Sequence, residues 1–199
     1  STLLASSAAS DVYKRQDEQG NKLHRFQKQI LEKFSDDTNR FVLTAPTSFG
    51  KTFIVYQILQ KMKYSTILLI FPTISLLTEN YERIKAYPFF GGYSIHTLSE
   101  EEIDESANNL FIFTPERYLS FLDSQKGTVF DFAFIDEIYK IDNGYLVDEE
   151  TVLENERDVA YRLALEYICR QAKDIFLAGP YISLNNDETC LLYTSDAAD

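Results

Sequence analysis

Residues 45–52, with the sequence APTSFGKT, combine groups that could bind a chain of phosphates. A polyphosphate needs several converging backbone N–H donors, a mobile cation and a ligand for Mg²⁺. The loop amides can supply the donors, the Lys51 ammonium the cation and the Thr52 hydroxyl the metal ligand. An apolar run at 40–44 precedes the loop and a helix-like run at 53–61 follows it. We therefore expect a strand, a phosphate-binding loop and a helix, the order that a nucleoside-triphosphate site requires.

The first residue of this loop departs from the general phosphate-loop pattern. That pattern, G-x-x-x-x-G-K-[ST], begins with glycine, whereas this chain has Ala45. Gly50, Lys51 and Thr52 alone would also suit an ordinary turn between a strand and a helix, with Lys51 solvated. The flanking elements, together with an acidic pair further along the chain, favour the phosphate-binding interpretation.

The acidic pair is Asp136 and Glu137, which follow the apolar run FDFAFI at 130–135. Adjacent carboxylates repel each other, and a bound metal ion removes that cost. Transfer of a phosphoryl group to water needs charge neutralisation and an oriented water molecule. We expect Asp136 to bind Mg²⁺, directly or through water, and Glu137 to orient or deprotonate the attacking water. The pair taken alone would fit a helix cap equally well.

Strand-like and helix-like segments alternate along the chain, and the strand-like ones are apolar on both faces. This alternation predicts an α/β fold with a parallel sheet covered on both sides. Ligands of such sheets bind beyond the carboxyl ends of the strands, which would bring the loop and the acidic pair together. The predicted strands are 40–44, 66–71, 93–98, 110–113, 130–135 and one that begins at 174, and the predicted helices are 23–34, 53–63, 75–86, 115–122 and 154–171.

Composition narrows the possible classes of protein. A hydrophobic content of 45%, with 15 Phe and 13 Tyr, is enough for a core and excludes a disordered chain. The net charge of −12 argues against a globally basic nucleic-acid binder, although a local basic track remains compatible with it. No apolar run approaches a membrane span, and His24 and His96 lie too far apart in sequence to predict a metal site. Cys169 and Cys190 show no disulfide framework, so we expect a reducing, cytoplasmic location and no membrane partner.

The two ends of the chain lack this patterning. Residues 1–16 and 190–199 resemble translated adapter sequence, in which case the natural protein extends further in both directions. The alternative is that they are disordered termini. We set both aside and expect one domain over residues 17–189.

Four segments in order resemble motifs I, Ia, Ib and II of superfamily 2 helicases of the DExD/H-box kind. They are APTSFGKT at 45–52, FPTISLL at 71–77, TPERYL at 114–119 and DEIY at 136–139. In that family an alanine at the start of motif I is normal, and the combination is closer to the DExH side. The resemblance covers 23–183 and implies the first of two RecA-like domains. Such a domain is a three-layer P-loop NTPase fold with a mainly parallel sheet and helices on both faces.

The resemblance also implies site roles, with ATP and Mg²⁺ as cofactors. Gln27 would read the adenine edge, although an exposed helical glutamine is the alternative. The residues expected at ATP are Gln27, Pro46, Thr47, Ser48, Phe49, Gly50, Lys51 and Thr52, with Thr52 and Asp136 on Mg²⁺ and with Glu137 and Lys51 as the catalytic residues.

A second set of residues is expected to hold the phosphates of one nucleic-acid strand, and comprises Pro72, Thr73, Thr114, Pro115 and Arg117. Pro115 in a first helical turn leaves neighbouring amides free for a phosphate, while Thr114 and Arg117 add a hydroxyl and a cation. Such contacts read no base sequence. An ordinary helix that begins at Pro115 and is capped by Thr114 is the alternative for this segment.

The chain departs from the family pattern at one residue and in one segment. Tyr139 stands where Asp or His is usual, and 177–181 read LAGPY where the family has a Ser-Ala-Thr motif. A second RecA-like domain of the same polypeptide, which would carry an arginine finger, has no counterpart in the chain. Loss of an arginine finger costs about 10³–10⁵ in rate, so we expect weak binding and very slow hydrolysis of ATP by this chain.

The leading hypothesis is the motor domain of an ATP-dependent helicase or translocase that acts on RNA or DNA. Tyr139 and the altered third motif also allow a nucleotide-gated clamp or scaffold that does not unwind. The third hypothesis is a translocase on double-stranded DNA within a restriction or phage-defence system.

Overall fold

The computed structural model describes residues 28, 32, 38–44, 50–136, 149–179 and 193–196 of the 199-residue chain. Its strands are β1 (Arg40–Thr44), β2 (Thr66–Ile70), β3 (Tyr93–His96), β4 (Asn108–Phe113), β5 (Phe130–Ile135), β6 (Ala172–Gly179) and β7 (Tyr193–Asp196). Its helices are α1 (Lys51–Met62), α2 (Ile74–Ala86), α3 (Pro115–Ser124) and α4 (Glu149–Gln171), with a short 3-10 helix at Pro88–Gly92.

All seven described strands form one sheet, in the order β3-β4-β2-β5-β6-β1-β7. Every pair of neighbouring strands is parallel. The prediction of an α/β fold with a mainly parallel sheet is therefore confirmed. β7 lies in the C-terminal segment that the sequence analysis set apart, and it pairs with β1.

The sheet carries one apolar core on each face. Alternate residues of a strand point to opposite faces, so β2 contributes Ile67 and Leu69 to one core and Leu68 and Ile70 to the other. Helices α1 and α2 cover the first face, and α3 and α4 cover the second. This arrangement explains why the strands are apolar throughout, and it confirms the predicted three layers.

Some element boundaries differ from the predictions. β3 ends at His96, a bend follows at Leu98 and a turn at 99–100, and the acidic stretch 99–106 contains no helix. α4 begins at Glu149, earlier than the predicted 154. The predicted helix at 23–34 lies outside the described residues except for Lys28 and Glu32, which are both helical.

A buried polar network closes the end of the sheet where the strands begin. The fully buried Asp174 carboxylate on β6 accepts hydrogen bonds from the Asn39 backbone N–H at 2.9 Å and side-chain amide at 3.1 Å. It also accepts one from the Tyr64 hydroxyl, and the Tyr64 carbonyl accepts one from the Tyr93 hydroxyl. Burial, with the hydrogen bond to Asp174, raises the pKa of Tyr64 well above its usual range. Segments at the starts of β1, β2, β3 and β6 are thus tied together.

Two further findings concern the expected environment of the protein. No described helix combines the length and the apolar character needed to cross a membrane. Cys169 is disulfide-bonded, so the expectation of a chain without disulfides is wrong. Spacing along a sequence does not show which sulfur atoms a fold brings into bonding geometry. The cytoplasmic location inferred from cysteine usage stays a prediction without that support.

Candidate nucleotide-binding site

The ammonium of Lys51 and the carboxylate of Asp136 meet at the carboxyl ends of the strands. Lys51 Nζ lies 3.1 Å from Asp136 Oδ1, although the two residues are 85 positions apart in sequence. Their side chains are only 6% and 14% exposed. For these two residues the structure shows the convergence that the strand-end rule predicted.

Gly50 positions Lys51 at the start of α1. Gly50 is the N-cap of this helix and has the left-handed conformation φ 68°, ψ 29°. A residue with a Cβ pays about 1–2 kcal/mol for that conformation, which explains the glycine. No side chain caps α1, and such a helix start, with its amides and positive dipole end, is suited to an anion. Thr52 follows in the same turn and is partly exposed.

Three elements fix Asp136. It directly follows β5, and its backbone N–H donates to the Ile70 carbonyl of β2 at 3.0 Å. Its own carbonyl accepts a hydrogen bond from the Tyr161 hydroxyl of α4 at 3.3 Å. Tyr161 is a site residue that the sequence analysis missed, because on the buried face of a helix it reads only as a core residue. Its hydroxyl holds the end of β5 against α4.

The available donor atoms fit Mg²⁺ that arrives with a nucleotide. Magnesium prefers hard oxygen ligands and is usually held by one or two protein oxygens together with phosphates and water. The Asp136 carboxylate and the Thr52 hydroxyl are ligands of this kind. Within the described ranges no group of three or more His, Cys, Asp or Glu could hold a metal ion alone. The donor set therefore fits a metal shared with a triphosphate better than a metal held by the protein alone.

A second group of predicted residues lies further along the same edge of the sheet. Thr73 follows β2 and caps α2 by accepting from the Leu76 N–H at 3.2 Å. Thr114 follows β4 and caps α3 by accepting from the Arg117 N–H at 3.3 Å. β2 and β4 are neighbours, with their last residues paired, so the two helix starts lie side by side. Pro72 and Pro115 are buried next to these caps.

The hydrogen bonds at the start of α3 are those of the alternative interpretation, a helix that begins at Pro115 with Thr114 as its cap. Thr114 is 5% exposed, and its hydroxyl already accepts a backbone amide. Arg117 donates from Nη1 to the Thr97 carbonyl at 2.9 Å. A guanidinium has five N–H donors, so this contact fixes its position and leaves most of its donor capacity for other partners. Arg117 is thus the strongest candidate of this group for a phosphate contact.

Several predicted site residues lie outside the described part of the chain, and their roles stay predictions. These residues are Gln27, Pro46, Thr47, Ser48, Phe49 and Glu137, together with Tyr139 and positions 180–181 of the altered third motif.

Fold and site together define an α/β nucleotide-binding domain of the helicase type. The sequence model of the DEAD/DEAH box helicase family matches residues 24–176, and the chain belongs to that family.

The relatives found by comparison are distant. Anti-bacteriophage protein B of Escherichia coli (strain K12) is 26% identical over 174 residues, which are 87% of this chain but 23% of that protein. The helicase domain of Hef from Pyrococcus furiosus is similar in structure, with a TM-score of 0.58, 18% identity, and coverage of 86% of this chain and 36% of that one. A nuclease-deletion mutant of the Type ISP restriction-modification enzyme LlaGI, solved in complex with a DNA substrate mimic, gives a TM-score of 0.60 at 14% identity, with coverage of 86% and 16%. At these identities the two structures support the fold alone.

Proposed function

We propose that the chain binds ATP with Mg²⁺ beyond β1 and β5, as the ATP-hydrolysing domain of a motor that moves on nucleic acid or unwinds it. The observation that carries this proposal is the 3.1 Å contact between Lys51 and Asp136. Family membership supports it, since the DEAD/DEAH box helicase model covers both Lys51 and Asp136.

The ion pair supports a specific exchange of partners. The Lys51 ammonium is a compact charge that a triphosphate, with its larger negative charge, attracts away from a single carboxylate. Once Lys51 turns to the phosphates, Asp136 can bind a metal ion together with Thr52. Bound Mg²⁺ neutralises charge that develops on the phosphates during transfer. Glu137, the next residue, would then orient or deprotonate the water.

Nucleic acid is the proposed substrate along which this motor moves. The starts of α2 and α3, with Arg117 beside them, form a row that suits the phosphates of one strand. Binding of this kind is independent of base sequence and weakens as salt is added. The chain spans 23% of the length of the anti-bacteriophage protein that it matches, and a second RecA-like domain of the same polypeptide is part of this proposal.

A binding measurement on the 199-residue chain tests the nucleotide site. With a fluorescent ATP analogue and Mg²⁺, Lys51→Ala should weaken binding at least about tenfold, because a hydrogen bond to a charged group contributes about 1.5–3 kcal/mol. Lys61→Ala is the matched control, since it removes an exposed lysine from the last turn of the same helix. Equal affinities for Lys51→Ala and Lys61→Ala would refute the nucleotide site.

The setting in phage defence is a second, narrower proposal. It is supported by the sequence similarity to the anti-bacteriophage protein. On this proposal the track is double-stranded DNA. Labelled DNA duplex, single-stranded DNA and RNA duplex of one sequence should then bind in decreasing order of affinity. A preference for RNA would count against it and would favour an RNA helicase.

ATP turnover separates the motor from a nucleotide-gated clamp. A motor hydrolyses ATP faster when nucleic acid is added to the polypeptide that contains this chain, and Glu137→Gln removes that turnover. A clamp binds ATP and nucleic acid with no stimulated turnover, and Glu137→Gln then changes nothing.

A further inference from the structure

A second buried polar cluster lies at the β3–β4 edge of the sheet. We call it the His96 network, and it consists of His96, Glu101, Asn109 and the contact between Thr97 and Arg117. His96 is the last residue of β3 and is 7% exposed. Its ring stacks on Phe111 of β4, with centroids 4.9 Å apart and an interplanar angle of 22°. This stacking fixes the plane of the imidazole ring and therefore the directions in which its two nitrogens point.

Both ring nitrogens of His96 face oxygen atoms. Nδ1 lies 2.8 Å from Glu101 Oε2, and Nε2 lies 2.9 Å from Asn109 Oδ1. The amide nitrogen of Asn109 donates to the carbonyls of Asp104 at 2.9 Å and Ala107 at 3.1 Å. These two bonds fix the orientation of the Asn109 amide, so its oxygen must be the atom that faces the ring.

The hydrogen-bond inventory then determines the form of the ring. An amide oxygen and a carboxylate can only accept, so each ring nitrogen has to donate. Only the imidazolium form has two N–H donors. Both contacts can thus be hydrogen bonds at the same time only while the ring is protonated, and the bond to Glu101 is then charge-assisted.

The network extends to Arg117 through one turn. Glu101 Oε1 accepts from the Leu98 N–H at 3.3 Å, which closes the turn that follows β3. The carbonyl of Thr97, the residue that precedes this turn, accepts a hydrogen bond from the guanidinium of Arg117 at 2.9 Å. The position of the turn thus sets the position of the Arg117 side chain.

We propose that His96 is a positioning residue that orients Arg117 toward a nucleic-acid phosphate while its ring is protonated and releases the turn when it is not. This inference rests on the proposed function for the role of Arg117. A neutral ring has one N–H, so it loses the hydrogen bond either to Glu101 or to Asn109. Among the described residues, Glu101 contacts the ring with its carboxylate, Arg117 of α3 contacts the adjacent Thr97 carbonyl, and β4 presents the uncharged Asn109 and Phe111. Nucleic-acid affinity should therefore fall as the pH rises.

The first test measures binding of a fluorescein-labelled single-stranded oligonucleotide to the 199-residue chain between about pH 5 and pH 8. Glu101→Gln is the informative variant, because its amide can donate to a neutral ring nitrogen while its oxygen still accepts from Leu98. The unmodified chain should lose roughly three- to tenfold in affinity across this range, and Glu101→Gln should lose much less. Glu102→Gln, which removes the same charge from the exposed neighbour, should behave like the unmodified chain. Identical pH profiles for all three would overturn the proposal.

The second test needs no nucleic acid. The chain has only two histidines, so the ring signals of His96 can be followed by NMR. The Leu98 amide and the Arg117 Nε–H should shift with the same midpoint as the His96 ring, and Glu101→Gln should abolish the coupled shift. Independent titration would overturn the network. If no oligonucleotide binds at any pH but the shifts are coupled, the network stands and the nucleic-acid part of the proposed function fails.

Discussion

Two carboxylates of the same sheet, Asp136 after β5 and Asp174 in β6, are largely withdrawn from water but are held in different ways. Asp174 is fully buried and accepts from a backbone amide, a side-chain amide and a hydroxyl, all fixed in place. Asp136 is 14% exposed, and its carboxylate contacts the ammonium of Lys51. The first carboxylate has neutral, immobile donors, whereas the second has a partner that a stronger anion can take away.

The comparison shows that a buried carboxylate can stabilise the backbone at one end of the strands and bind ligands at the other. A carboxylate that is satisfied by fixed neutral donors stabilises one arrangement of the backbone. A carboxylate paired with a mobile ammonium is available for exchange when a nucleotide and a metal ion arrive. The carboxyl ends of a parallel sheet are where such exchange is expected.

The largest expected effect is on the structural side of this comparison. Asp174→Ala leaves three donors of Asn39 and Tyr64 without their acceptor, and each buried unsatisfied group costs about 1–3 kcal/mol. We expect the free energy of unfolding to fall by about 3 kcal/mol or more, as measured by urea denaturation. Asp123→Ala, at an exposed position of α3, should change it by less than about 0.5 kcal/mol. Similar losses in both variants would show that Asp174 is not a structural anchor.

Alkaline pH should weaken the same network. An unfolded tyrosine titrates near pH 10, while the pKa of Tyr64 is raised in the folded chain by burial and by Asp174. Below about pH 10 both states are protonated and the full stability is present. Above it only the unfolded chain ionises, so the free energy of unfolding should fall by about 1.4 kcal/mol per pH unit for this residue. In Tyr64→Phe the pH dependence should be shallower by that amount, and an unchanged slope would contradict the role of Tyr64.

The smallest effect is expected at the functional carboxylate, through its positioning residue. Tyr161→Phe removes one neutral hydrogen bond to the Asp136 carbonyl and should weaken ATP binding in the presence of Mg²⁺ about two- to tenfold. Tyr167→Phe is the control, because Tyr167 lies on the same helix and is 41% exposed. If Tyr161→Phe lowers stability without any change in affinity, Tyr161 belongs to the core and not to the site.

Much of the fold could be predicted because its signals are local. The strands are apolar on both faces since helices cover both faces, and β1 and β5 were predicted with the bounds that the structure has. The end of β3 and the start of α4 were missed, and β3 is followed by a turn that the Glu101 carboxylate closes by accepting from the Leu98 N–H.

The site was predictable where residue type and strand-end position together specify the chemistry, as for Lys51 and Asp136. It was not predictable where the role depends on contacts between distant elements. Tyr161 resembles any core tyrosine in sequence, and His96 belongs to no sequence motif. The bonds of both residues join segments whose proximity only the folded chain reveals.

The central claim, that Lys51 and Asp136 serve one bound nucleotide and its metal ion, is tested most directly by ATP affinity with and without Mg²⁺ in Asp136→Asn. Without Mg²⁺ the variant should bind ATP more tightly than the unmodified chain, because Lys51 is released and a negative charge is removed. With Mg²⁺ it should bind more weakly, because the metal loses a ligand. A change in the same direction under both conditions would contradict the claim.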